Sequence, residues 1–339
     1  MAKKVAAKAT SKTNALNFIK DSHDVIKTHL ESAIELPDFF KNKGQLTLRD
    51  RRTIVQQARL LLQENFVHLP LKEAMHGINP LQQLSLLEHR LEHATDNSIG
   101  SEYSFHRQML EIFTSLRDLH TNYLLPEPFC DHVAFMPFSI EEYYDGNQAH
   151  YIATHLVDGF SHNHFKKGVE IIHWSGVPIT RAIEVVANQH AGSNEAARHA
   201  RGIDGITLRA LKSSLPPDES WVIVGYRDHK GVEREMRQEW IVSTEPPSKT
   251  GQDADVITHA ATTQGLDIEA DIQQKTRKML FAPQVVAAEQ AIEKAESNVD
   301  TDADTQAMED KTPDTKEDAL TSALTSALGR SISRQVHSE

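Results

Sequence analysis

Apolar residues return every three or four positions between about Thr47 and Leu116, and from Phe135 onward the spacing shortens towards alternation. The first pattern is that of helices with one buried stripe, the second that of strands with one buried face. A first helix is expected over about Thr13 to Leu36, stopped by Pro37. Thr47-x-x-Asp50 reads as a capping box. Ile54, Val55, Ala58, Leu61, Leu62 and Phe66 follow it at helical spacing, with Pro70 as the end. Asn79-Pro80 offers an N-cap and a first-turn proline to a helix carrying Leu81, Leu84, Leu87 and Leu91. A fourth helix is predicted from about Ser101 to Leu116, with His106, Met109, Leu110, Phe113 and Leu116 on one face. Short helices are marginal alone, so residues 13–116 are expected to bury their stripes against one another as a helical domain.

Residues 117–139 form a junction, where Pro126 and Pro128 forbid a continuing helix and Phe135 to Phe138 read as an entering strand. Strands are expected over Phe138–Tyr144 and Ala149–Val157, joined by the turn signal Asp145-Gly146-Asn147. Gly168–Trp174 reads as another strand closed by Ser175-Gly176, and Ile179–His190 as a helix with Ile183 and Val186 inward. Asn194–Leu211 reads as a second helical stretch weakened by Gly202 and Gly205, and Pro216-Pro217 breaks it. Trp221–Tyr226 and Val232–Val242 form a hairpin across Asp228–Gly231. The expectation is an α+β chain whose second domain, residues 140–243, holds five short strands and one or two helices. Glu245-Pro246-Pro247-Ser248 opens a helical linker over 244–292, with helices near Asp267–Phe281 and Pro283–Glu296. Between Glu293 and Asp318, ten acidic residues face three lysines with almost nothing apolar. Residues 293–339 are therefore expected to be a flexible acidic segment, and residues 1–12 a disordered tail.

Composition narrows the function. The 339 residues are 39 % hydrophobic and 25 % charged, and the net charge of −12 gives no electrostatic argument for nucleic acid. The single cysteine, Cys130, excludes an intramolecular disulfide framework and a cysteine-rich zinc site, and fits a reducing compartment. No apolar run approaches the ~18 residues of a membrane span, and the basic start leads into no signal-peptide core, so the cytoplasm is the default location.

Several residues invite chemistry, and each has a plainer explanation. Asp118, His120 and Thr121 suggest a catalytic group, but no nucleophile lies nearby and positions two apart do not share a helix face. A structural role at the helix exit is favoured, with Asp118 and Thr121 tying backbone and His120 bonded beneath the prolines. His155, His162 and His164 could be offered as metal ligands. With 19 histidines in the chain close pairs arise readily, and Ser161 and Asn163 read as a turn, so no metal is assigned. Ser193, in Gly192-Ser193-Asn194, lacks the Gly-x-Ser-x-Gly setting of a nucleophile and reads as a helix cap, as does Asn194. Cys130 is expected to be buried and inert, and Arg49, Arg51 and Arg52 to be the wet face of their helix.

Taken in order, D-L-H-T-N-Y-L-L-P-E-P-F, A-F-M-P-F-S-I-E-E-Y, K-G-V-E-I-I-H-W-S-G-V-P-I, R-A-I-E-V-V-A-N-Q-H-A-G-S-N-E-A-A-R-H-A-R-G and S-L-P-P-D-E-S-W-V-I-V-G-Y-R resemble the front half of a tail-specific (C-terminal processing) serine peptidase. The likeness covers about Leu46 to Val242. It implies a helical part followed by a PDZ-like domain that binds an extended peptide by strand addition. It also implies a later domain with a Ser–Lys catalytic pair, and nothing here matches that domain, so the chain is expected to be an N-terminal part without hydrolytic activity. The peptide-binding candidates under this resemblance are Gly168, Val169, Ile171, Ile183 and Val186, with no catalytic residue, cofactor or metal. Protein or peptide substrates are the expected partners, with no nucleic acid, no membrane, and self-association through the helical domain. Two other readings stay open: a stand-alone dimerising scaffold, and a histidine-metal protein using His155, His162 and His164.

Overall fold

The computed structural model describes residues 33–286 apart from 42–43, 45, 96, 245–267 and 284. The expected tail 1–12, most of the helix over 13–36, the linker Glu245–Ser248, most of Pro283–Glu296 and the acidic segment 293–339 lie outside the described residues. The architecture is α+β: a helical N-terminal region, then a strand-rich region that carries its own helices.

The described chain opens with a strand, β1 (Ile34–Glu35), and a helical turn, α1 (Leu36–Phe39). The expected first helix therefore does not reach Leu36, and Pro37 starts a turn instead of stopping a helix, as its fixed φ allows in a first turn. Helix α2 (Leu48–Glu64) begins at the predicted box: Thr47 Oγ1 accepts from Asp50 N (3.2 Å) and Asp50 Oδ2 accepts from Thr47 N (2.9 Å). Replacing Thr47 by Ala removes this reciprocal cap, and a loss of about 1 kcal/mol is expected in a urea titration. Pro70 again begins rather than ends: α3 (Leu69–His76) carries it in the first turn and closes on Gly77 at φ 63°. Helices α4 (Pro80–Glu92), capped by Asn79, and α5 (Glu102–Ser115), capped by Ser101, complete the set. Val55, Leu62, Leu84, Leu87, Leu91, Phe105 and Met109 form their common core.

Arg51 and Arg52 are not a wet face. Arg51 is buried and donates to the carbonyls of Ile99, Gly100 and Ser101, while Arg52 donates to those of Leu91 and Glu92. Arg51 thereby holds the loop that leads into α5, and Arg52 holds the C-terminal end of α4. His106 is fully buried on α5, with Nδ1 2.7 Å from Tyr123 Oη and Nε2 3.1 Å from Glu102 Oε1. A neutral ring satisfies both partners when Nε2–H donates to Glu102 and Nδ1 accepts from Tyr123. Burial pushes the His106 pKa down against the pull of Glu102. The unfolded chain thus takes up a proton that the folded chain resists, and stability should fall as pH drops below about 6.5. Thermal melts between pH 7 and 5 should show this, with a flatter profile for His106→Gln.

Beyond the junction the strands form two sheets. The larger is assembled from β3 (Phe138–Asp145), β4 (Gln148–Leu156), β5 (Glu170–Trp174), β6 (Val177–Pro178), β8 (Trp221–Arg227) and β9 (Glu233–Glu239) in the order β3-β4-β5-β8-β9, with β6 folded back on β5. All its pairings are antiparallel. The smaller runs β1-β10-β2-β7, from β2 (His132–Phe135), β7 (Leu208–Ala210) and β10 (Ile241–Thr244) together with β1. The chain passes between the sheets at Met136-Pro137 and at Trp240. Trp240 is fully buried there: its backbone N–H donates to Ser220 O, its carbonyl accepts from Leu36 N, and Arg209 lies 5.8 Å above its ring. The edge strand β9 reads Glu-Arg-Glu-Met-Arg-Gln-Glu, a charged edge of the kind that discourages pairing with other chains.

Nine strands thus lie between residues 132 and 244 where five were expected. The small sheet was missed because its strands are two to four residues long and their partners are far away in sequence. The expected entering strand Phe135–Phe138 is the end of one strand and the start of another. The predicted helix Asn194–Leu211 stops early, and its last residues become β7. Helices α6 (Ile179–Asn188) and α7 (Glu195–Gly205) lie in the strand-rich region, and α8 (Ile268–Phe281) packs Met279 and Leu280 with Val133, Phe135 and Leu208 of the small sheet. No helix among the described residues is long and apolar enough to cross a membrane.

Candidate functional site

The site is built on the turn between β5 and β6. Ser175 and Gly176, at φ 49° and 80°, reverse the chain so that Trp174 pairs with Val177 and α6 starts immediately after Pro178. The apolar stripe of α6 then falls on the sheet: Ile179, Ala182, Ile183 and Val186 are buried with Ile140, Ile171 and Trp174. Of the five candidate residues, Val169 (1 % exposed), Ile171 (1 %), Ile183 (0 %) and Val186 (7 %) are core side chains. Gly168 is exposed in the turn before β5, at φ 84°. The four apolar residues position a wall, and Gly168 is the one of the five that is exposed.

One free edge of the large sheet is β3, whose outer side pairs with no strand among the described residues. Helix α7 bridges α6 and β3. Asn194 Oδ1 caps it by accepting from Ala197 N (2.7 Å), so the cap is Asn194, and Ser193 lies exposed beside it. Two glycines let α7 approach α6. A Cβ on Gly202 would lie 2.7 Å from Ile183 O, and one on Gly205 would lie 2.4 Å from His190 Nε2. On the other side His199 Nε2 meets Glu142 Oε1 at 2.8 Å, and Tyr151 Oη–H donates to the same oxygen at 2.8 Å. Burial alone would raise the Glu142 pKa, but these hydrogen bonds and the His199 charge outweigh it and hold the carboxyl below its ordinary range.

Helix α8 closes the far side of α7. Glu269, buried, accepts from Arg201 Nη1 (3.0 Å) and lies 2.8 Å from His190 Nδ1, while Arg277 Nη2 donates to Asp204 Oδ1 (2.5 Å). Burial would raise the Glu269 pKa, and the adjoining His190 and Arg201 pull it below normal instead. No sequence pattern pointed to this cluster, because its members lie on two helices and a connecting loop.

The junction residues are structural in part. Asp118 Oδ1 accepts from the amides of His120 (2.9 Å) and Thr121 (3.2 Å), which closes the chain after α5. Arg117, at φ 53°, donates to the carbonyls of Asn188 and His190 and so ties this turn to the end of α6. The side chain of His120 is exposed and not bonded beneath the prolines. Cys130 is half-buried, and burial pushes its thiol up to about 12, out of the range of a reactive thiolate.

His155, His162 and His164 do not converge. His155 Nδ1 lies beside Ser139 and Thr154, and His162 Nδ1 faces Tyr226 Oη at 3.5 Å. Among the described residues, ligand-like spacing occurs at His89, Glu92 and His93 instead. All three are exposed at the end of α4, where His93 Nδ1–H donates to the carbonyl of His89, an ordinary way to finish a helix.

Residues 132–249 match the PDZ domain family. That span contains both helices α6 and α7 and all of the large sheet. Among solved structures the chain is similar to mature CPAF, at 17 % identity over 62 % of this chain and 37 % of that one, with a TM-score of 0.46. It is also similar to mature CPAF complexed with lactacystin, at 18 % identity over 62 % and 38 %, with a TM-score of 0.43. The chain thus spans well under half the length of these structures, and no curated protein matches it. The strand-rich region described above is a PDZ-like domain preceded by a helical region.

Proposed function

We propose that this chain recognises extended peptides through its PDZ-like domain, as a non-catalytic, substrate-capturing part of a tail-specific type of proteolysis. The observation that carries the reading is the coincidence of the PDZ match over 132–249 with an unpaired sheet edge, β3, in the sheet whose strand β5 carries the helix α6. Domains of this family bind by adding the peptide as a strand, so main-chain hydrogen bonds give affinity and side-chain pockets give selectivity. In this reading the core residues Val169, Ile171, Ile183 and Val186 set the spacing between helix and sheet, and Gly168 allows the turn into β5. The domain boundaries 13–116 for the helical part and 140–243 for the peptide-binding part belong to the same proposal.

The test is a fluorescence titration of the purified chain with labelled peptides. Saturable binding is expected, together with no turnover of a protein substrate. Turnover that a serine-directed inhibitor stops would overturn the non-catalytic assignment.

A second reading, self-association of the helical region, is favoured by Leu60, Leu61, Val67, Leu71, Met75 and Leu86, all large apolar side chains that are exposed. Light scattering should then give a mass that rises with concentration and falls on Leu71→Glu.

A further inference from the structure

We propose that His89, Glu92 and His93 form a binding site for a divalent transition-metal ion of zinc's class at the C-terminal end of α4. The inference is independent of the peptide-binding reading above.

A helix places residues three and four apart on one face. At the end of α4 that spacing brings one nitrogen of His89, one nitrogen of His93 and one carboxylate oxygen of Glu92 within 4.8 Å of one another. Two donors that each sit about 2.1 Å from a shared zinc ion stand at most ~4.2 Å apart. All three side chains are exposed, so small rotations close the difference. The two imidazole rings already lie 4.3 Å apart between centres, inclined at 51°.

The surroundings prepare these donors. His93 Nδ1 lies 2.8 Å from the carbonyl oxygen of His89, and a carbonyl only accepts, so the proton sits on Nδ1. That bond finishes the helix, and it also leaves Nε2 with a free lone pair and restrains the ring, as backbone carbonyls do for metal-bound histidines. The turn itself is held from α2. Arg52 donates through Nε and Nη2 to Leu91 O (3.0 and 2.7 Å) and through Nη2 to Glu92 O (3.2 Å), while the Leu91 side chain is buried in the helical core. The backbone that carries the three donors is thus fixed in advance, and binding has little ordering left to oppose it.

The donor set selects the ion. Two imidazoles and one carboxylate suit zinc, copper and nickel, whereas magnesium and calcium are held by oxygen ligands. The Arg52 guanidinium on the same turn works against any cation held by charge alone, so coordination bonds must supply the affinity. Three protein ligands leave a position for water. With the donors on open surface, the structure supports binding and not hydrolysis at the metal. What the ion gives the molecule is a cross-link between successive turns at the end of α4, which stabilises the folded chain by mass action.

The experiment uses the whole chain, without an affinity tag and stripped by a chelator, titrated calorimetrically with zinc chloride. Saturable binding at a single strongest site is expected. His89→Ala and His93→Ala should each weaken it by more than about tenfold, and Glu92→Gln by less. His164→Ala, which removes an exposed histidine of the strand-rich region, should leave the affinity unchanged and so separates this site from casual binding by the other histidines among the 19. With copper(II) as the probe, electron paramagnetic resonance should report two imidazole nitrogens in wild type and one in either histidine variant. Zinc should slow amide exchange over residues 89–93 in wild type but not in His89→Ala.

His89→Ala keeps the bond from His93 to the residue 89 carbonyl, so it tests ligation with the helix end intact. Absence of saturable zinc binding by wild type would overturn the site, as would binding that either histidine variant leaves undiminished. Both results would leave peptide recognition standing.

Discussion

Replacing Trp240 by Ala is expected to lower the unfolding free energy by about 3–5 kcal/mol. Trp240 has no exposed surface and sits where β9 becomes β10, so its ring is packed from both sheets. Truncation opens a cavity at that seam and uncovers the guanidinium of Arg209, which is buried and bonded to carbonyls of Gly205 and Leu215 rather than to a carboxylate. Trp240→Phe should lose less, because the indole N–H has no hydrogen-bond partner among the described residues and its removal relieves a buried orphan. Trp221 is the internal control. It is 40 % exposed and stacked at 4.3 Å under Arg237, so Trp221→Ala should cost less than about 1 kcal/mol. A urea titration giving equal midpoints for the two alanine variants would contradict the argument.

Removing the Glu269 carboxylate should be nearly as damaging, but in one place. Glu269→Ala leaves His190 and Arg201 facing each other across a buried site, and breaking such a pair costs about 3–5 kcal/mol. The chain can avoid that cost by releasing α8, whose other anchors are Ile272, Met279, Leu280 and the Arg277–Asp204 bond. The expected result is rapid amide exchange over residues 268–281 with no change in β3, β4 or β5. Glu269→Gln keeps an acceptor and should release the helix less completely. The same pair has a pH signature. Its carboxyl is held below the ordinary value, so its contribution is complete above about pH 4.3 and is lost as pH falls through the lower folded value. Release of α8 on acidification, earlier than loss of the large sheet, is the corresponding observation.

Much of the helical region was legible in advance because its signals are local. Thr47 with Asp50, Asn79 with Pro80, and the stripes of α4 and α5 each lie within a few residues of the structure they specify. The misread prolines, Pro37 and Pro70, show the limit of that logic, since a proline is compatible with the first turn of a helix as well as the end of one. The hairpin β3–β4 was legible from its Gly146 turn, and the segment from Gly168 to Pro178 from its strand, tight turn and following helix. The small sheet was not, because nothing in His132–Phe135 or Leu208–Ala210 reveals partners about seventy residues apart. The candidate groove residues Val169, Ile171, Ile183 and Val186 are the apolar positions of β5, its approach and α6. Apolarity at those positions serves the core, and the polar pair that joins β3 to α7, Glu142 with His199, is far apart in sequence. Charge complementarity of that kind is visible only after folding.

The small sheet also has a consequence in time. Ile34 pairs with Val242, so its outermost strand closes a loop of about two hundred residues, whereas β3 and β4 meet across a two-residue turn. Long-range pairings of this sort slow folding, and the β1–β10 contact is expected to be the last of the strand pairings to form. On a ribosome adding roughly 5–20 residues per second, β1 waits on the order of tens of seconds for its partner to emerge. The residues around Ile34 and Phe39 spend that interval as exposed apolar chain, and the nascent protein is most vulnerable to proteases and chaperone capture at its leading end.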